Sequence, residues 1–175
     1  MTRIGDKTSS MDQPIDHLVA CHRRIEERLE TLERSGACLD ANRSEAVAAI
    51  QKSLDFLDSN GGWHTQDEEE SVFPRLRRSL EPADLRYLHD LEMQHDEAEA
   101  VLERLKTSFA AVTAGAGYAA EFRNWAARLR ELYTAHIASE EATLIDLARH
   151  KLSAEDMQLI AAEMKARRNG ILRKI

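Results

Sequence analysis

One spacing recurs along the whole chain: a histidine followed four residues later by a glutamate. It occurs at His22 and Glu26, His64 and Glu68, His95 and Glu99, and His136 and Glu140. In an α-helix, residues four apart lie one above the other on the same face. An imidazole and a carboxylate placed in this way can bind one metal ion together. The spacing therefore predicts helices that each turn a pair of metal-binding groups to one face.

Apolar residues recur around these pairs at alternating steps of three and four, which is typical of helices packed in a bundle. Four long helices are predicted, over about residues 14–35, 42–80, 82–113 and 118–150. Gly36 is expected to end the first. The second is expected to run through residues 59–62 with a weak or kinked middle, because its apolar pattern keeps its phase there. A short fifth helix is predicted to begin at a cap of Ser153 with Asp156 and to end at residues 169–170.

These helices predict an all-α fold, an antiparallel up-down four-helix bundle with a short fifth C-terminal helix. No alternation of apolar and polar residues is long enough to indicate a strand. The four histidines fall early, late, early and late in successive helices, so alternating helix directions would bring them to one end. We expect residues 1–12 to form a flexible tail, residues 13–150 the bundle, and residues 151–175 a C-terminal helix and tail.

Length and charge fit one globular domain and argue against two classes of protein. The chain of 175 residues is long enough to bury a core. Its net charge of −7 argues against a dedicated nucleic-acid binder. No apolar run could span a membrane, and no signal peptide is recognisable. We therefore expect a cytoplasmic protein in which Cys21 and Cys38 are reduced.

The buried histidine and glutamate pairs need compensation. Eight polar side chains at buried positions would destabilise the fold unless each had a partner. Metal cations are the simplest partners, because iron, manganese and zinc accept neutral imidazoles and carboxylates as ligands. Eight groups are too many for one ion and suit two ions bridged by carboxylates. A closed structural zinc site is disfavoured without paired cysteines, and a ferritin-like centre because its Glu-x-x-His spacing occurs only at Glu92 and His95.

Four segments resemble the hemerythrin-like (HHE cation-binding) family, in the same order and over about residues 13–150. They are CHRRIEERL around His22, HTQDEEESVFPRL from His64, QHDEAEAVLERL around His95 and HIASEEATL from His136. The resemblance implies a four-helix bundle with a non-haem di-iron centre, in which zinc or manganese could replace iron. It implies that Glu68 and either Glu140 or Glu141 bridge the ions. The ligands that it implies are His22, His64, Glu68, His95, His136 and Glu140.

The chain departs from the oxygen-carrying members of this family at two positions. Their third helix offers two histidines four residues apart, whereas here the second position is Glu99, and the first helix adds Glu26. Each carboxylate is expected to be either a ligand or a group that orients a neighbouring histidine. As ligands, both would favour ferric iron and leave few open positions, which counts against reversible oxygen binding. Glu69, Glu70 and Glu97 are expected to point away from the ligand face.

The three remaining histidines are expected outside the cluster. His17 and His89 fall off the apolar stripes and are predicted to be exposed, with His17 as the one credible substitute for His22. His150 lies near a helix end, where a positive charge interacts favourably with the helix dipole.

Three functions stay open. The first is a di-iron protein that binds or reacts with dioxygen, peroxide or nitric oxide, or that senses or handles iron. The second is a peroxidase- or oxidase-like enzyme that uses the same centre. The third is a metal-free helical interaction module whose histidines pack in the core. The sequence offers no docking site for an organic substrate, which favours binding over catalysis, and it leaves the oligomeric state open.

Overall fold

The computed structural model describes residues 11–115 and 119–170, and within these ranges every regular element is helical. The α-helices are, in chain order, α1 (Pro14–Ala37), α2 (Arg43–Phe56), α3 (Gly62–Gln66), α4 (Phe73–Leu76), α5 (Pro82–Thr113), α6 (Ala119–Ser139), α7 (Ile145–Lys151) and α8 (Ala154–Arg168). Three π-helical segments connect some of them: Leu57–Gly61, Asp67–Val72 and Glu140–Leu144. The prediction of an all-α fold is confirmed.

These elements form four long helices and a shorter fifth. α1 is the first long helix, residues 43–76 form the second, α5 is the third and residues 119–151 form the fourth, while α8 is the fifth. The predicted tail over residues 1–12 and the predicted turn at residues 113–117 lie partly outside the described residues. So do the last residues of the chain, which include the basic Arg173 and Lys174.

Local chemistry explains most helix ends. Pro14 and Pro82 occupy the first turns of α1 and α5, where the missing backbone N–H costs nothing. Ser153 and Asp156 form the predicted reciprocal cap of α8. After α5 the chain turns at Gly115, whose φ of 83° favours glycine.

Gly36 does not end the first helix as predicted, because α1 continues to Ala37. A Cβ atom at position 36 would lie 3.0 Å from Cε1 of Phe122, a fully buried ring on α6. The glycine is thus a point of close approach between α1 and α6.

The second long helix is continuous through residues 59–62, as predicted, and its middle is π-helical. Gly61 and Gly62 keep helical backbone angles, with φ of −62° and −59°. The other two π-helical segments, Asp67–Val72 and Glu140–Leu144, begin at or next to Glu68 and Glu140, two of the four glutamates that the spacing singled out. Such segments are rare and occur frequently at functional sites.

Apolar side chains form two separate cores. One contains Ile25 and Leu29 of α1, and the other contains Ile15 and Leu18 of the same helix. His22 lies between these two sets in the sequence, as His64 and His95 do in their own helices. In the fourth long helix, Glu140 lies between Ile137 of the first core and Leu144 of the second. The cluster of histidines and glutamates therefore forms a polar layer between two apolar ones.

The helices pack unevenly around these cores. α1 packs closely against α2 and α6, α5 packs against α6, and α8 packs on α1, α3 and the segment Asp67–Val72. Close backbone contacts are sparse between the second and third long helices, which leaves a cleft along that side. Among the described residues, no helix is both long and apolar enough to cross a membrane.

Candidate metal centre

Four histidines and two glutamates from four long helices meet in the polar layer. The histidines are at most 7% exposed and both glutamates are fully buried. They form two groups that share both glutamates: His22 and His64 with Glu68 and Glu140, and His95 and His136 with the same two glutamates. In each group the potential ligand atoms all lie within 4.8 Å of one another.

Each glutamate turns one carboxylate oxygen toward each group. Oε2 of Glu140 is 3.1 Å from Nε2 of His22, and its Oε1 is 3.2 Å from Nε2 of His136. Oε1 of Glu68 is 3.5 Å from Nε2 of His64, and its Oε2 is 3.4 Å from Nε2 of His95. Two carboxylates that are shared in this way have the disposition of bridges between two ions.

Three of the histidines are held from outside by hydrogen-bond acceptors. The Nδ1 atoms face Oε1 of Glu141 at 3.1 Å for His22, Oε1 of Glu69 at 2.8 Å for His95, and Oε1 of Gln94 at 2.9 Å for His136. An Nδ1 atom beside an acceptor carries the proton, so in the neutral ring the Nε2 lone pair points into the cluster. This is the orientation that a metal ligand requires.

The cluster leaves polar atoms that its own residues do not satisfy. Nε2 of His95 and Nε2 of His136 are 3.0 Å apart, with both outer nitrogens occupied as donors. Both carboxylate oxygens of Glu68 and of Glu140 are buried without a hydrogen-bond partner in the structure, as is Nε2 of His22. Unpaired polar groups at this depth are costly. Cations placed among these atoms would satisfy them, so the residues present fit a metal centre.

The two glutamates have opposite pKa shifts. Burial and the neighbouring charge of Glu140 raise the pKa of Glu68 to about 7. Burial also acts on Glu140, but its contacts with His136 and His22 hold the pKa of that carboxyl well below its usual range. Burial alone would lower the pKa of His22, yet its contact with Glu140 raises it.

The pKa values of two of the histidines are also shifted in opposite directions. Burial opposes the charged form of His95, but Glu68 and Glu69 outweigh it and raise the pKa of this imidazole to about 10. Burial and the neighbouring His22 lower the pKa of His64 well below its usual value. In the metal-free protein, protons bound by these side chains therefore balance part of the negative charge that cations would otherwise balance.

Two of the predicted site residues lie away from the cluster. The side chain of Glu26 is 40% exposed and pairs with Arg23 at 2.8 Å. Glu99 is exposed and lines the cleft between the second and third long helices. Both stand in regular α-helix, whereas Glu68 and Glu140 stand in π-helical segments. The structure therefore brings together two of the four His-x-x-x-Glu pairs and, of the other two, only the histidines.

Two further glutamates orient histidines. Glu141, the predicted alternative bridge, contacts the outer nitrogen of His22 and accepts two hydrogen bonds from Arg23, at 2.8 and 2.6 Å. Glu69, which was expected to point away from the ligand face, contacts the outer nitrogen of His95 instead. Each of these residues directly follows one of the shared glutamates, and this repeated Glu-Glu pair is a sequence signal that could have found them.

The remaining histidines match the predictions in two cases of three. His89 and His150 are exposed, and Nδ1 of His150 donates to the carbonyl of Asp146 near the end of α7. His17, however, is buried, and its Nε2 lies 3.6 Å from Sγ of Cys21. The prediction that His17 is exposed was wrong because α1 is also covered by α7 and α8 at this end.

A cavity of about 330 Å³ reaches the cluster from the cleft. His95, Glu69 and Tyr133 line it, and carboxylates that include Glu99 and Glu103 surround it. The ring of Tyr133 stands edge-on to that of His136, with 6.4 Å between the ring centres. Burial and the nearby carboxylates raise the pKa of the Tyr133 hydroxyl to about 12. A small molecule entering here would meet the His95 side of the cluster first.

Comparison with known proteins agrees with this site. Residues 13–148 match the family model described as the hemerythrin HHE cation binding domain. A DNA nickase from Nostoc sp. (strain PCC 7120 / SAG 25.82 / UTEX 2576) is 30% identical over 112 residues, which are 64% of this chain. The match spans only 29% of that protein's length. α8 lies outside the residues that the family model matches.

Proposed function

The chain belongs to the hemerythrin HHE cation-binding domain family, and from this membership we propose that it holds two metal ions, natively iron, and meets dioxygen, peroxide or nitric oxide there. The observation that carries the proposal is the sharing of Glu68 and Glu140, each with one oxygen toward each pair of histidines. Zinc and manganese accept the same ligands and are possible substitutes.

We propose further that the four long helices alternate in direction as an antiparallel bundle. His22 and His95 lie early in their helices, while His64 and His136 lie late in theirs. These four side chains are in contact or share contacts with the same two glutamates, which supports alternating directions.

In this proposal, His22 and His64 would hold one ion, His95 and His136 would hold the other, and Glu68 and Glu140 would serve both. The outer acceptors Glu141, Glu69 and Gln94 keep three of the rings in the tautomer that offers Nε2. Iron held in this way supplies redox chemistry toward small oxygen and nitrogen species. Glu26 and Glu99 were expected, as ligands, to leave few open coordination positions for a small molecule. Since both lie outside the cluster, they do not count against the binding of a small molecule.

Access and charge favour small, neutral ligands. The cavity beside His95 is wide enough for a diatomic molecule or peroxide, and its carboxylates would disfavour anions. A peroxidase- or oxidase-like enzyme is the second candidate, because a cavity of about 330 Å³ also admits a molecule larger than a diatomic one. Turnover of added peroxide by the iron-loaded protein would favour this second candidate.

The test is elemental analysis of protein that has never met a chelator. We expect about two iron ions per chain in the natural protein, and loss of most metal from the double variant His64→Ala with His136→Ala, while the helical circular dichroism persists. The matched control is Glu26→Gln with Glu99→Gln, which removes two carboxylates at the same spacing and is expected to keep the metal.

Two results would contradict the proposal. Full metal content in the histidine double variant would mean that the ions bind elsewhere. A natural protein without bound metal would favour the metal-free interaction module. Zinc or manganese alone would leave the centre standing and remove the support for oxygen chemistry.

A further inference from the structure

Arginines of α8 form hydrogen bonds and ion pairs with the outer side of the segment Asp67–Val72. Arg167 is only 4% exposed and donates to Oδ1 of Asp67 and, at 3.1 Å, to Oγ of Ser71. It also donates to Oε2 of Glu70 at 3.2 Å. This arginine thus contacts three residues of the same π-helical segment.

Arg168 also binds the carboxylate of Asp67. Its guanidinium donates to Oδ2 of Asp67 at 2.7 Å and to Oδ1 at 3.2 Å. The guanidinium also lies 5.7 Å from the centre of the Trp63 ring on α3. Asp67, which is fully buried, is therefore paired with two arginines of one helix.

Asp67 and Glu68 are consecutive, and they face different neighbours. Asp67 is held by α8, whereas Glu68 faces His64 and His95 in the cluster. A π-helical turn interrupts the regular hydrogen bonding of the α-helix on either side of it, and such turns occur frequently at functional sites. Any movement of this turn that releases Asp67 from α8 would also move Glu68 relative to the histidines.

A contribution to the stability of the fold does not by itself explain why two arginines are paired with the buried Asp67. Buried ion pairs contribute little net stability compared with apolar side chains of similar size, because both charges must leave water. What they do fix is orientation, since a guanidinium requires its acceptors at defined positions.

We propose that Arg167 and Arg168 are positioning residues that hold Asp67–Val72 so that Glu68 faces the metal centre. Metal binding and the docking of α8 then stabilise each other. The coupling is reciprocal: the factor by which docked α8 tightens metal binding equals the factor by which metal tightens docking. This inference rests on the proposed function, and it makes α8, outside the family match, a part of the chain that responds to metal.

The first test is the affinity for ferrous iron, measured anaerobically by competition with a chromogenic chelator. Arg167→Met is expected to weaken binding by about tenfold to a hundredfold, the usual effect of removing a group that orients a metal ligand. The matched control is Lys165→Met, which removes the same charge from the same helix. Lys165 is 45% exposed and pairs with Asp12, away from the segment, so this variant is expected to bind iron as the natural protein does.

The second test is hydrogen exchange of the α8 amides with and without ferrous iron. In the natural protein and in Lys165→Met, iron is expected to slow this exchange by a factor comparable with the loss of affinity in Arg167→Met. In Arg167→Met the slowing should be absent, and Arg167→Lys, which keeps the charge, should restore part of it. A merely structural arginine would change exchange equally with and without iron. If Arg167→Met does not fold, the response of the natural protein and of Arg167→Lys decides.

The outcomes separate this inference from the proposed function. Absence of iron binding by the natural protein would overturn both. Normal binding of two ions, with equal affinity in Arg167→Met and no effect of iron on α8 exchange, would overturn the coupling and leave the metal centre intact.

Discussion

At the scale of single residues, the four histidines differ in the hydrogen-bond partner of the Nδ1 atom, which faces away from the cluster. Carboxylates contact the outer nitrogens of His22 and His95, an amide contacts that of His136, and Nδ1 of His64 is buried without a hydrogen-bond partner in the structure. A carboxylate makes the imidazole a stronger ligand than an amide does. The two ions would therefore each have one strongly basic histidine, His22 or His95.

Glu69 is the outer carboxylate whose contribution is easiest to isolate. In Glu69→Gln, His95 keeps an acceptor but loses the negative charge, so we expect metal affinity to fall by about tenfold. Competition with a chelator measures this change. The control is Glu97→Gln, which removes a carboxylate that pairs with Arg128 at 2.7 Å on the surface. Equal affinities of the two variants would contradict a role for Glu69.

Glycine to alanine changes at two positions should have opposite effects on stability. Gly62 has helical backbone angles and no atom within 4 Å of an added Cβ, so Gly62→Ala should stabilise the fold by about 0.5–1 kcal/mol. Gly36→Ala should destabilise it, because the added Cβ would press on the buried Phe122 ring. Urea denaturation of the metal-free variants measures both. Stabilisation at both positions would show that α1 and α6 can separate without cost.

Sequence spacing identified the four histidines, but it could not identify which glutamates reach them. All four His-x-x-x-Glu pairs look alike in the sequence. The difference lies in the backbone, since Glu68 and Glu140 stand in π-helical segments and Glu26 and Glu99 do not. A shift of backbone hydrogen bonds from i+4 to i+5 involves no particular side chain, so no residue pattern revealed it.

At the scale of elements, the π-helical segment Leu57–Gly61 sets the direction of everything that follows in the second long helix. A π-helical turn holds about one residue more than an α-helical turn, so the residues beyond it stand one position later than a regular helix would place them. The apolar side chains of α2 face the first core, and His64 and Glu68, beyond the segment, face the polar layer. The continuity of the helix was predictable from the apolar pattern, and the π-helical turn was not.

Deletion of Asn60 tests this register. Without the extra residue, the segment is expected to become regular α-helix, and His64 and Glu68 should keep their direction, because an α-helical turn holds about one residue fewer than a π-helical turn. We expect the deletion variant to remain helical by circular dichroism and to keep most of its metal. Insertion of an alanine after Asn60 adds a residue that the segment cannot absorb, so it should turn both ligands by roughly 100°, one residue's rotation, and remove most of the metal. Full metal content in the insertion variant would contradict this dependence on register.

At the scale of the whole molecule, the polar layer between two apolar cores would make the stability of a metal-binding protein depend on both protons and metal. A four-helix pattern with a fifth helix was visible in the sequence, but the site where α8 docks was not. The ion pairs of α8 include those with Asp67, which in the sequence is one more acidic residue in a charged run. The packing of α8 on α1 also explains why His17 is buried although it lies off the apolar stripe of α1.

This arrangement predicts how the stability of the metal-free protein changes with pH. The pKa is raised in the folded state from 4.5 to about 7 for Glu68 and from 6.5 to about 10 for His95, and it is raised for His22 as well. A group with a raised folded pKa contributes stability that is complete below its unfolded pKa and is lost as pH rises through its folded pKa. The lowered pKa values of Glu140 and His64 act in the opposite direction, but only below about pH 6.5.

The contribution of Glu68 is lost between about pH 4.5 and 7, and that of His95 between about pH 6.5 and 10. Between about pH 6.5 and 9 the melting temperature of the metal-free protein should therefore fall, mainly through the histidines. Bound cations would replace the protons on Glu68 and His95, so the metal-loaded protein should change less over this range. Glu68→Gln in the metal-free state imitates the protonated carboxyl, so between about pH 4.5 and 7 it should lack the loss of stability that ionisation of Glu68 causes in the natural protein. Circular dichroism melts at several pH values measure all three. Parallel pH profiles for Glu68→Gln and the natural protein would mean that Glu68 is already ionised in the fold, and that the cluster balances its charges without a proton there.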